Sequence, residues 1–216
     1  MTPPAPSSNH IAAILLAAGL STRMGRLKPL LPWMGSTLLE YQLRQLSLSP
    51  VDEIVLVLGH EAEKLRPYAD AVPDIRVVVN PDYHRGRSTS VVAGVKALGG
   101  RPSAILILSV DQPRPAWVIS QVVKAHLDGT AEITIPTFEG RRGHPIVFDG
   151  GLIDELKALS EEAQGLREVV GRDPGRVREI EVSSPVIHLD LNTPEDYQRG
   201  QGLTKSPHRY FESCTD

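Results

Sequence analysis

The chain has 216 residues, of which 41% are hydrophobic and 23% are charged. A chain of this length can bury one substantial core, and these proportions exclude a disordered, coiled-coil or collagen-like protein. Its net charge of -3 gives no overall attraction to nucleic acid or to an anionic membrane, so we expect neither as a partner. Any positive charge that matters for function must then be local.

The two ends of the chain and its cysteine content predict a single cytoplasmic domain. Residues 1–10 are rich in proline and serine and carry no export signal, so we expect a disordered leader there. The longest apolar run, residues 11–18, is far shorter than the ~20 residues that cross a bilayer. The single cysteine, Cys214, cannot form an internal disulfide, which indicates a reducing compartment. We predict one domain over residues 11–202 and a polar tail over residues 203–216.

Apolar runs of strand length recur along the chain, and several are apolar on both faces, as buried parallel strands are. The predicted strands cover residues 11–18, 52–59, 75–80, 104–110, 132–138, 177–182 and 186–191. Segments with helical spacing lie between them. The predicted helices cover residues 37–48, 88–98 and 114–129, and a last helix starts at Thr193 and Pro194. Thr37 and Glu40 have capping-box spacing, and Pro115 and Gly129 suit the start and end of a helix.

The alternation of strands and helices predicts an α/β fold: a mainly parallel sheet covered by helices on both faces, in three layers. From about residue 132 the pattern changes to strand, turn and strand, which indicates a small antiparallel element near one edge. In such sheets ligands bind beyond the carboxyl ends of the strands. The loops that follow the strands are therefore where we expect the functional residues, and the N-terminus of the 88–98 helix could face an anion.

The loop after the first strand, within "LAAGLSTRMGRLKPLLP" (residues 16–32), concentrates glycine and positive charge. The spacing of Gly19 and Gly25 matches neither the P-loop nor the dinucleotide fingerprint. A glycine-rich turn lets backbone N–H groups approach an anion, and Arg23, Arg26 and Lys28 could neutralise phosphate charge. From spacing alone, a solvated surface loop with ordinary basic residues remains the alternative.

The same stretch resembles the L-A-A-G-x-S-x-R-M-G-x-x-K-x-L-L signature of MobA-like nucleotidyltransferases, and most closely that of the molybdenum cofactor cytidylyltransferases. The guanylyltransferase branch usually has L-A-G-G and an Asp before the Lys, where this chain has Ala18 and Leu27. Further family-like stretches follow in the expected order: "NPDYHRGRSTSVVAGVKAL", "LSVDQPRP", "RRGHPIVF" and "LDLNTPEDY". The resemblance thus covers nearly the whole chain.

This resemblance implies a Rossmann-like nucleotidyltransferase fold and an Mg²⁺-dependent transfer of CMP from CTP to the phosphate of molybdopterin, with release of pyrophosphate. The implied catalytic residues are Arg23, Lys28 and Asp111. The implied nucleotide-binding residues are Ala17, Ala18, Gly19, Arg23, Gly25, Lys28, Asn80, Ser88 and Ser90. The implied acceptor-binding residues are Arg142, Gly143 and His144, although a histidine beside a proline is more often structural.

Carboxylates near two strand ends suit a magnesium ion, which binds oxygen ligands together with substrate phosphates. The resemblance makes Asp111, which ends a strand, the main ligand, with a helix cap as the alternative role. Asp190 and Asn192 would supply further oxygens. The family commonly has an aspartate where this chain has Asn192, so the site carries one charge fewer, and capping of the last helix is the alternative role for Asn192.

Three other functions remain open at this point. The same loop and ligands would serve NMP transfer to a sugar phosphate, an alcohol or another cofactor. A non-catalytic carrier could insert molybdenum cofactor into a molybdenum-dependent dehydrogenase, although Lys28 together with Asp111 argues against it. A hydride-transferring dehydrogenase is disfavoured by the missing dinucleotide glycines. No Ser-His-Asp or Cys-His arrangement supports covalent catalysis.

Overall fold

The fold is built on an eight-stranded sheet. The computed structural model describes residues 10–162, 164–205 and 210–211. In chain order the strands are β1 (Ile11–Ala17), β2 (Pro32–Trp33), β3 (Ser36–Thr37), β4 (Glu53–Leu58), β5 (Ile75–Val79), β6 (Ala104–Ser109), β7 (Ile133–Phe138), β8 (Arg141–Arg142), β9 (Ile146–Asp149) and β10 (Val177–Glu181). The helices are α1 (Leu38–Ser47), α2 (Ala62–Asp70), α3 (Arg87–Lys96), α4 (Ala116–Leu127), α5 (Ile153–Lys157), α6 (Leu166–Gly171) and α7 (Pro194–Thr204).

The order of strands across the sheet is β10-β7-β9-β6-β1-β4-β5, with β8 paired to β7, while β2 and β3 form a separate ribbon. β1 lies parallel to both β4 and β6, and β4 lies parallel to β5. β9 is antiparallel to its neighbours β6 and β7 and is the third strand from the β10 edge. The predicted mainly parallel sheet with a small antiparallel element is therefore confirmed.

Helices cover both faces of this sheet because successive residues of a strand point to opposite sides. Ala13 and Leu15 of β1 belong to one hydrophobic cluster, together with apolar residues of α1, α2 and α4. Ile14 and Leu16 belong to a second cluster with residues of α3, α5 and α6. The three-layer prediction is confirmed, and the carboxyl ends of β1 and β6 meet at one edge of the sheet.

Local signals explain where individual helices begin. α1 starts with the predicted capping box, in which the Thr37 side chain accepts a hydrogen bond from the N–H of Glu40 and the Glu40 carboxylate accepts one from Thr37. A second capping box joins Thr193 and Asp196 at the start of α7. None of the helices in the described ranges is long and apolar enough to span a membrane.

One predicted strand, residues 186–191, is wrong. The structure has a 3-10 helix there, Pro185–His188, which begins where the Ser184 side chain accepts a hydrogen bond from the N–H of Val186. The carbonyl oxygens of Ile187 and Leu189 accept hydrogen bonds from the Arg114 side chain, at 2.7 Å each. These carbonyls therefore have a side-chain donor in place of a neighbouring strand.

The two chain ends fall partly outside the described residues. Residues 1–9 of the predicted leader and Cys214 of the predicted tail lie outside them. His10 is fixed by a 3.2 Å contact between its Nε2 and Glu53. α7 extends to Thr204, and Phe211 is buried against the rings of Trp33 and Tyr41, so part of the segment predicted to be a polar tail packs on the core.

Candidate active site

A cavity of about 390 Å³ lies where the loops after β1 and β6 meet. Parallel neighbouring strands end at the same edge of the sheet, so their following loops lie side by side there. The residues predicted to bind nucleotide in the first loop line this cavity, except Gly25. Its lining includes Ala17, Ala18, Gly19, Arg23, Lys28, Arg87, Ser90, Asp111 and Asn192.

The glycine-rich loop is a compact turn held by its own backbone. Ser21 and Gly25, which flank the 3-10 helix Thr22–Met24, both have left-handed backbone conformations, with φ of 55° and 68°. The Ser21 hydroxyl accepts a hydrogen bond from the N–H of Lys28 at 3.1 Å. Gly25 thus shapes the turn and does not line the cavity, while the buried side chain of Met24 anchors the turn to the core.

Three sequence motifs meet at the Lys28 ammonium. Its Nζ lies 2.7 Å from Asp111 Oδ2 and donates a hydrogen bond to Asn192 Oδ1 at 3.1 Å. The Arg23 guanidinium also donates to Asn192 Oδ1, at 3.2 Å. The N–H of Leu191 donates to the carbonyl of Asp111 at 2.8 Å, which fixes the two oxygen-bearing segments side by side. The alternative of a solvated basic residue is therefore wrong for Lys28, which is only 9% exposed, whereas Arg23 and Arg26 are exposed.

The capping alternatives for Asp111 and Asn192 are also wrong. α4 begins after Pro115 with no side-chain cap, and the cap of α7 is Thr193. The Asp111 carboxylate and the Asn192 amide oxygen instead converge on a single cationic nitrogen, that of Lys28. Among the described residues no group of three or more His, Cys, Asp and Glu side chains could hold a metal ion.

Asp190, the other predicted metal ligand, faces a different part of the site. It lines a second cavity of about 940 Å³, and its Oδ1 lies 3.6 Å from Nη2 of Arg114. That oxygen is buried and has no hydrogen-bond partner within the described part of the chain. Burial raises the pKa of Asp190, and the positive charge of Arg114 opposes that rise.

The second cavity contains all three predicted acceptor-binding residues, namely Arg142, Gly143 and His144. Arg87 lines both cavities, so the two adjoin at its side chain. Ser88, predicted to bind nucleotide, lies in the second cavity. Arg142 is half-exposed and its Nε donates to Glu179 at 2.7 Å.

Asn80, also predicted to bind nucleotide, lines neither of these cavities. Its side chain is buried and donates hydrogen bonds to the hydroxyl oxygens of Thr89 and Ser90, at 2.9 and 3.0 Å. Its Oδ1 accepts a hydrogen bond from the N–H of Asp82. In this structure Asn80 therefore joins the end of β5 to the start of α3 and positions Ser90 beside the cavity.

The hydrogen bonds around His144 define its protonation. Oε1 of Gln112 accepts from the N–H of Ser109, so the amide nitrogen of Gln112 faces His144 and donates to its Nδ1, at 3.1 Å. Nε2 then carries the proton of the neutral ring. Burial, helped by the positive charges of Arg114 and Arg87, lowers the pKa of His144 to about 3. At neutral pH His144 is therefore an uncharged side chain of the second cavity.

A family model for MobA-like NTP transferase domains matches residues 13–177. The chain belongs to this family of nucleotidyltransferases. The predicted Rossmann-like nucleotidyltransferase fold is confirmed, because a solved nucleotidyl transferase from Methanothermobacter superposes on this chain with a TM-score of 0.79 at 25% identity and covers 92% of this chain and 99% of that one.

Two relatives of this MobA-like chain are named for different activities. The chain is 31% identical over 198 residues to nicotine blue oxidoreductase of Paenarthrobacter nicotinovorans. The matched residues make up 88% of this chain and 95% of that protein. It is 29% identical over 197 residues to molybdenum cofactor cytidylyltransferase of Escherichia coli K12. Here the matched residues make up 87% of this chain and 93% of that protein.

A solved structure with the same architecture is that of Rv0371c from Mycobacterium tuberculosis H37Rv. It superposes with a TM-score of 0.79 at 26% identity and covers 91% of this chain and all of that one. A complex of the same protein with manganese superposes with a TM-score of 0.74 and covers 88% of this chain and 97% of that one.

Arg114 is a residue of this site that the sequence analysis missed. Its side chain is completely buried and donates to the carbonyl oxygens of His144, Ile187 and Leu189, at 2.9, 2.7 and 2.7 Å. Desolvation lowers its pKa to about 10, so it stays charged, with Asp190 as a nearby counter-charge. Arg114 thus joins the His144 segment and the 187–190 segment to the Asp111 loop. The available signal was a charged residue between two prolines, directly before the apolar first turn of α4.

Glu161 is a second residue that was missed. Its carboxylate accepts a hydrogen bond from the N–H of Ser88 at 2.5 Å, in the first turn of α3. The helix N-terminus that was predicted to face an anion therefore already faces a carboxylate of the chain itself. Glu161 also lines the second cavity, where it contributes negative charge beside Arg87.

Proposed function

We propose that this protein transfers CMP from CTP to the phosphate of molybdopterin and releases pyrophosphate. The observation that carries the proposal is the convergence of Lys28, Asp111 and Asn192 at the wall of one cavity, with a second cavity adjoining it at Arg87. One cavity suits a donor nucleotide and the other suits an acceptor. The similarity to the cytidylyltransferase of Escherichia coli supports this choice of substrates.

The site suits a reaction whose difficulty is electrostatic. The acceptor phosphate is already anionic at neutral pH, so no strong general base is needed, and His144 with its pKa of about 3 is not one. What the reaction requires is the alignment of two anions and the neutralisation of their charge. Arg23 and Lys28 lie beside the donor cavity, and Arg87 lies between donor and acceptor.

In this proposal the glycine turn and the three basic residues of the donor cavity have separate roles. The turn at Gly19 brings backbone N–H groups and the Arg23 guanidinium to the triphosphate. Lys28 neutralises charge at the α-phosphate and on the departing pyrophosphate. Arg87 aligns the acceptor phosphate with the α-phosphate, because its side chain is shared by both cavities.

The residues also fit a divalent cation. A carboxylate oxygen of Asp111 and an amide oxygen of Asn192 converge on one positively charged atom, and oxygens of these types are the ligands that Mg²⁺ prefers. Asp190 offers a further buried carboxylate oxygen that has no hydrogen-bond partner among the described residues. A bound Mg²⁺ would supply additional neutralisation of phosphate charge. The manganese complex of Rv0371c supports such a site.

A pyrophosphate assay tests this function. The purified protein is incubated with Mg²⁺, molybdopterin and each of the four NTPs in turn, and we expect release with CTP. Lys28→Ala should lower kcat at least ~10²-fold, the scale of losing one electrostatic group at a reacting phosphate, with a much smaller effect on stability. The matched control is Lys64→Ala, which removes an exposed lysine paired to Glu61. Full activity of Lys28→Ala would refute the role of Lys28.

The similarity to nicotine blue oxidoreductase favours a redox reaction as the second candidate. In the structure the loop after β1 has Ser21, with its own left-handed conformation, where a dinucleotide fold needs a second glycine. Oxidation of a nicotinamide cofactor, followed by its absorbance, would identify this activity. Binding of molybdopterin without turnover of any NTP would instead support a carrier that serves a molybdenum-dependent dehydrogenase.

A further inference from the structure

The ammonium of Lys28 contacts two of the oxygens that suit a divalent cation, one from Asp111 and one from Asn192. Its Nζ is 2.7 Å from Asp111 Oδ2 and 3.1 Å from Asn192 Oδ1. Mg²⁺ binds its oxygen ligands at about 2.0–2.1 Å. A nitrogen that lies at hydrogen-bond distance from both oxygens takes the space between them, so the ammonium and the metal ion cannot use the pair together.

We propose that Lys28 competes with the divalent cation for Asp111 and Asn192, so that the cation binds weakly alone and tightly together with the nucleoside triphosphate. The phosphates then become the new partner of the ammonium. This inference rests on the proposed function, in that it takes a nucleoside triphosphate as the ligand of this cavity. It adds the order of binding and a second role for Lys28.

The surroundings of Lys28 make its displacement by a bare cation unfavourable. Its side chain is 11% exposed, and its backbone is fixed by the hydrogen bond to Ser21. Lysine is rarely buried to this extent without a counter-charge, and Asp111 is its ion-pair partner. A metal ion that took Asp111 would leave a nearly buried ammonium without an anion. A triphosphate supplies that anion at the moment when Asp111 is lost.

The charge of the cavity points the same way. Among the described residues that line it, Arg23, Lys28 and Arg87 carry positive charge and Asp111 is the one carboxylate. Such a cavity repels a free divalent cation and attracts a polyanion. A complex of metal and nucleotide, which is still negatively charged, is therefore favoured over the bare ion.

Binding of Mn²⁺ in the absence of nucleotide tests this competition. Mn²⁺ has an electron paramagnetic resonance signal that falls on binding, so its affinity can be titrated directly. We expect Lys28→Met to bind Mn²⁺ at least tenfold more tightly than the unmodified protein, and Asp111→Asn added to Lys28→Met to abolish that gain. Lys64→Met, which breaks an exposed lysine–carboxylate pair, should leave Mn²⁺ affinity unchanged. Equal Mn²⁺ affinity of Lys28→Met and the unmodified protein would overturn the proposal.

A measurement on the unmodified protein covers the case in which Lys28→Met does not fold. Saturating Mn²⁺ without nucleotide must expel the ammonium from Asp111, so acetylation of the Lys28 amine, followed by mass spectrometry, should become at least several-fold faster. Lys64 is the internal control and should be labelled at a constant rate. An unchanged Lys28 rate at saturating Mn²⁺ contradicts the competition.

These measurements are independent of the proposed reaction. If Lys28→Met binds Mn²⁺ more tightly but no NTP yields pyrophosphate, the competition stands and the transfer reaction is wrong. If CTP yields pyrophosphate but Lys28→Met gains no affinity for Mn²⁺, the reaction stands and the competition is wrong.

Discussion

Arg114 allows a sharp test of how the site is built. The substitution Arg114→Met keeps a long, flexible side chain in the core but removes the charge and every donor. The carbonyl oxygens of His144, Ile187 and Leu189 would then lose hydrogen bonds of 2.7–2.9 Å, and Asp190 would lose the positive charge 3.6 Å away. Because Arg114 is completely buried, water does not replace these contacts readily.

The size of the effect follows from the number of groups left without partners. The carbonyls of His144 and Leu189 lose the Arg114 donor, which costs about 1–3 kcal/mol for each buried carbonyl, whereas Ile187 keeps the N–H of His144 as a donor. Breaking a fully buried ion pair costs about 3–5 kcal/mol, and the pair with Asp190 costs less because that side chain is 41% exposed. Relaxation of the three segments recovers part of this sum, since the 187–190 segment can shift. We therefore expect the free energy of unfolding to fall by about 4 kcal/mol, which corresponds to a fall in Tm of about 8–16 °C for a domain of this size.

Urea denaturation of matched variants measures this loss. The control is Arg101→Met, because Arg101 also contacts two carbonyl oxygens, those of Gly150 and Gly151, and one carboxylate, that of Asp154, but is 54% exposed. Exposed pairs contribute about 0–1 kcal/mol, so Arg101→Met should cost at most about 1 kcal/mol. If the two variants lost equal stability, burial would not be what makes the Arg114 contacts strong, and our reasoning would be refuted.

Three further predictions concern single elements of the fold. Since the pKa of His144 is lowered to about 3, the unfolded chain takes up this proton first as the pH falls below the ordinary value of about 6.5. The free energy of unfolding is thus lost between those two pH values. We expect it to fall by about 2 kcal/mol more from pH 7 to pH 5 in the unmodified protein than in His144→Gln, as measured by urea titration. If the two proteins lost stability in parallel over this pH range, the prediction would be contradicted. A Cβ on Gly94 would lie 2.5 Å from Cγ2 of Ile14, so Gly94→Ala should destabilise the protein by about 1–3 kcal/mol, although alanine has the better helix propensity. Thermal unfolding measures this change, and a net gain in Tm would show that α3 has room to move. Loss of the capping box in Thr37→Ala should cost about 1 kcal/mol, whereas Thr37→Ser should retain most of the stability provided by the hydrogen bond to Glu40; chemical denaturation of both separates the hydroxyl from the methyl group.

The sequence alone determined the layered architecture and the place of the site. The central strands are short apolar runs buried on both faces, and helix burial follows a period of 3.6 residues, so both kinds of element can be recognised from local pattern. The capping box at Thr37 is equally local, because its two members are three residues apart. Parallel strands have their carboxyl ends at the same edge of the sheet, so the pattern placed the basic loop and Asp111 at one edge.

Only the tertiary structure decided which side chains touch. The contacts of Lys28 join residues that are 83 and 164 positions apart in the chain, and the Arg114 contacts join segments 30, 73 and 75 positions apart. The run at residues 186–191 illustrates the reason. Its apolar pattern suits a strand, but two of its carbonyls accept hydrogen bonds from the buried guanidinium of Arg114. These hydrogen bonds depend on how the loops pack against each other. Glu161 is a similar case, because it contacts the start of α3 from 73 positions away in the chain, and no local spacing predicts that contact. Hydrogen-bond periodicity acts over a few residues, whereas the partners of loop side chains are fixed only once the whole core has formed.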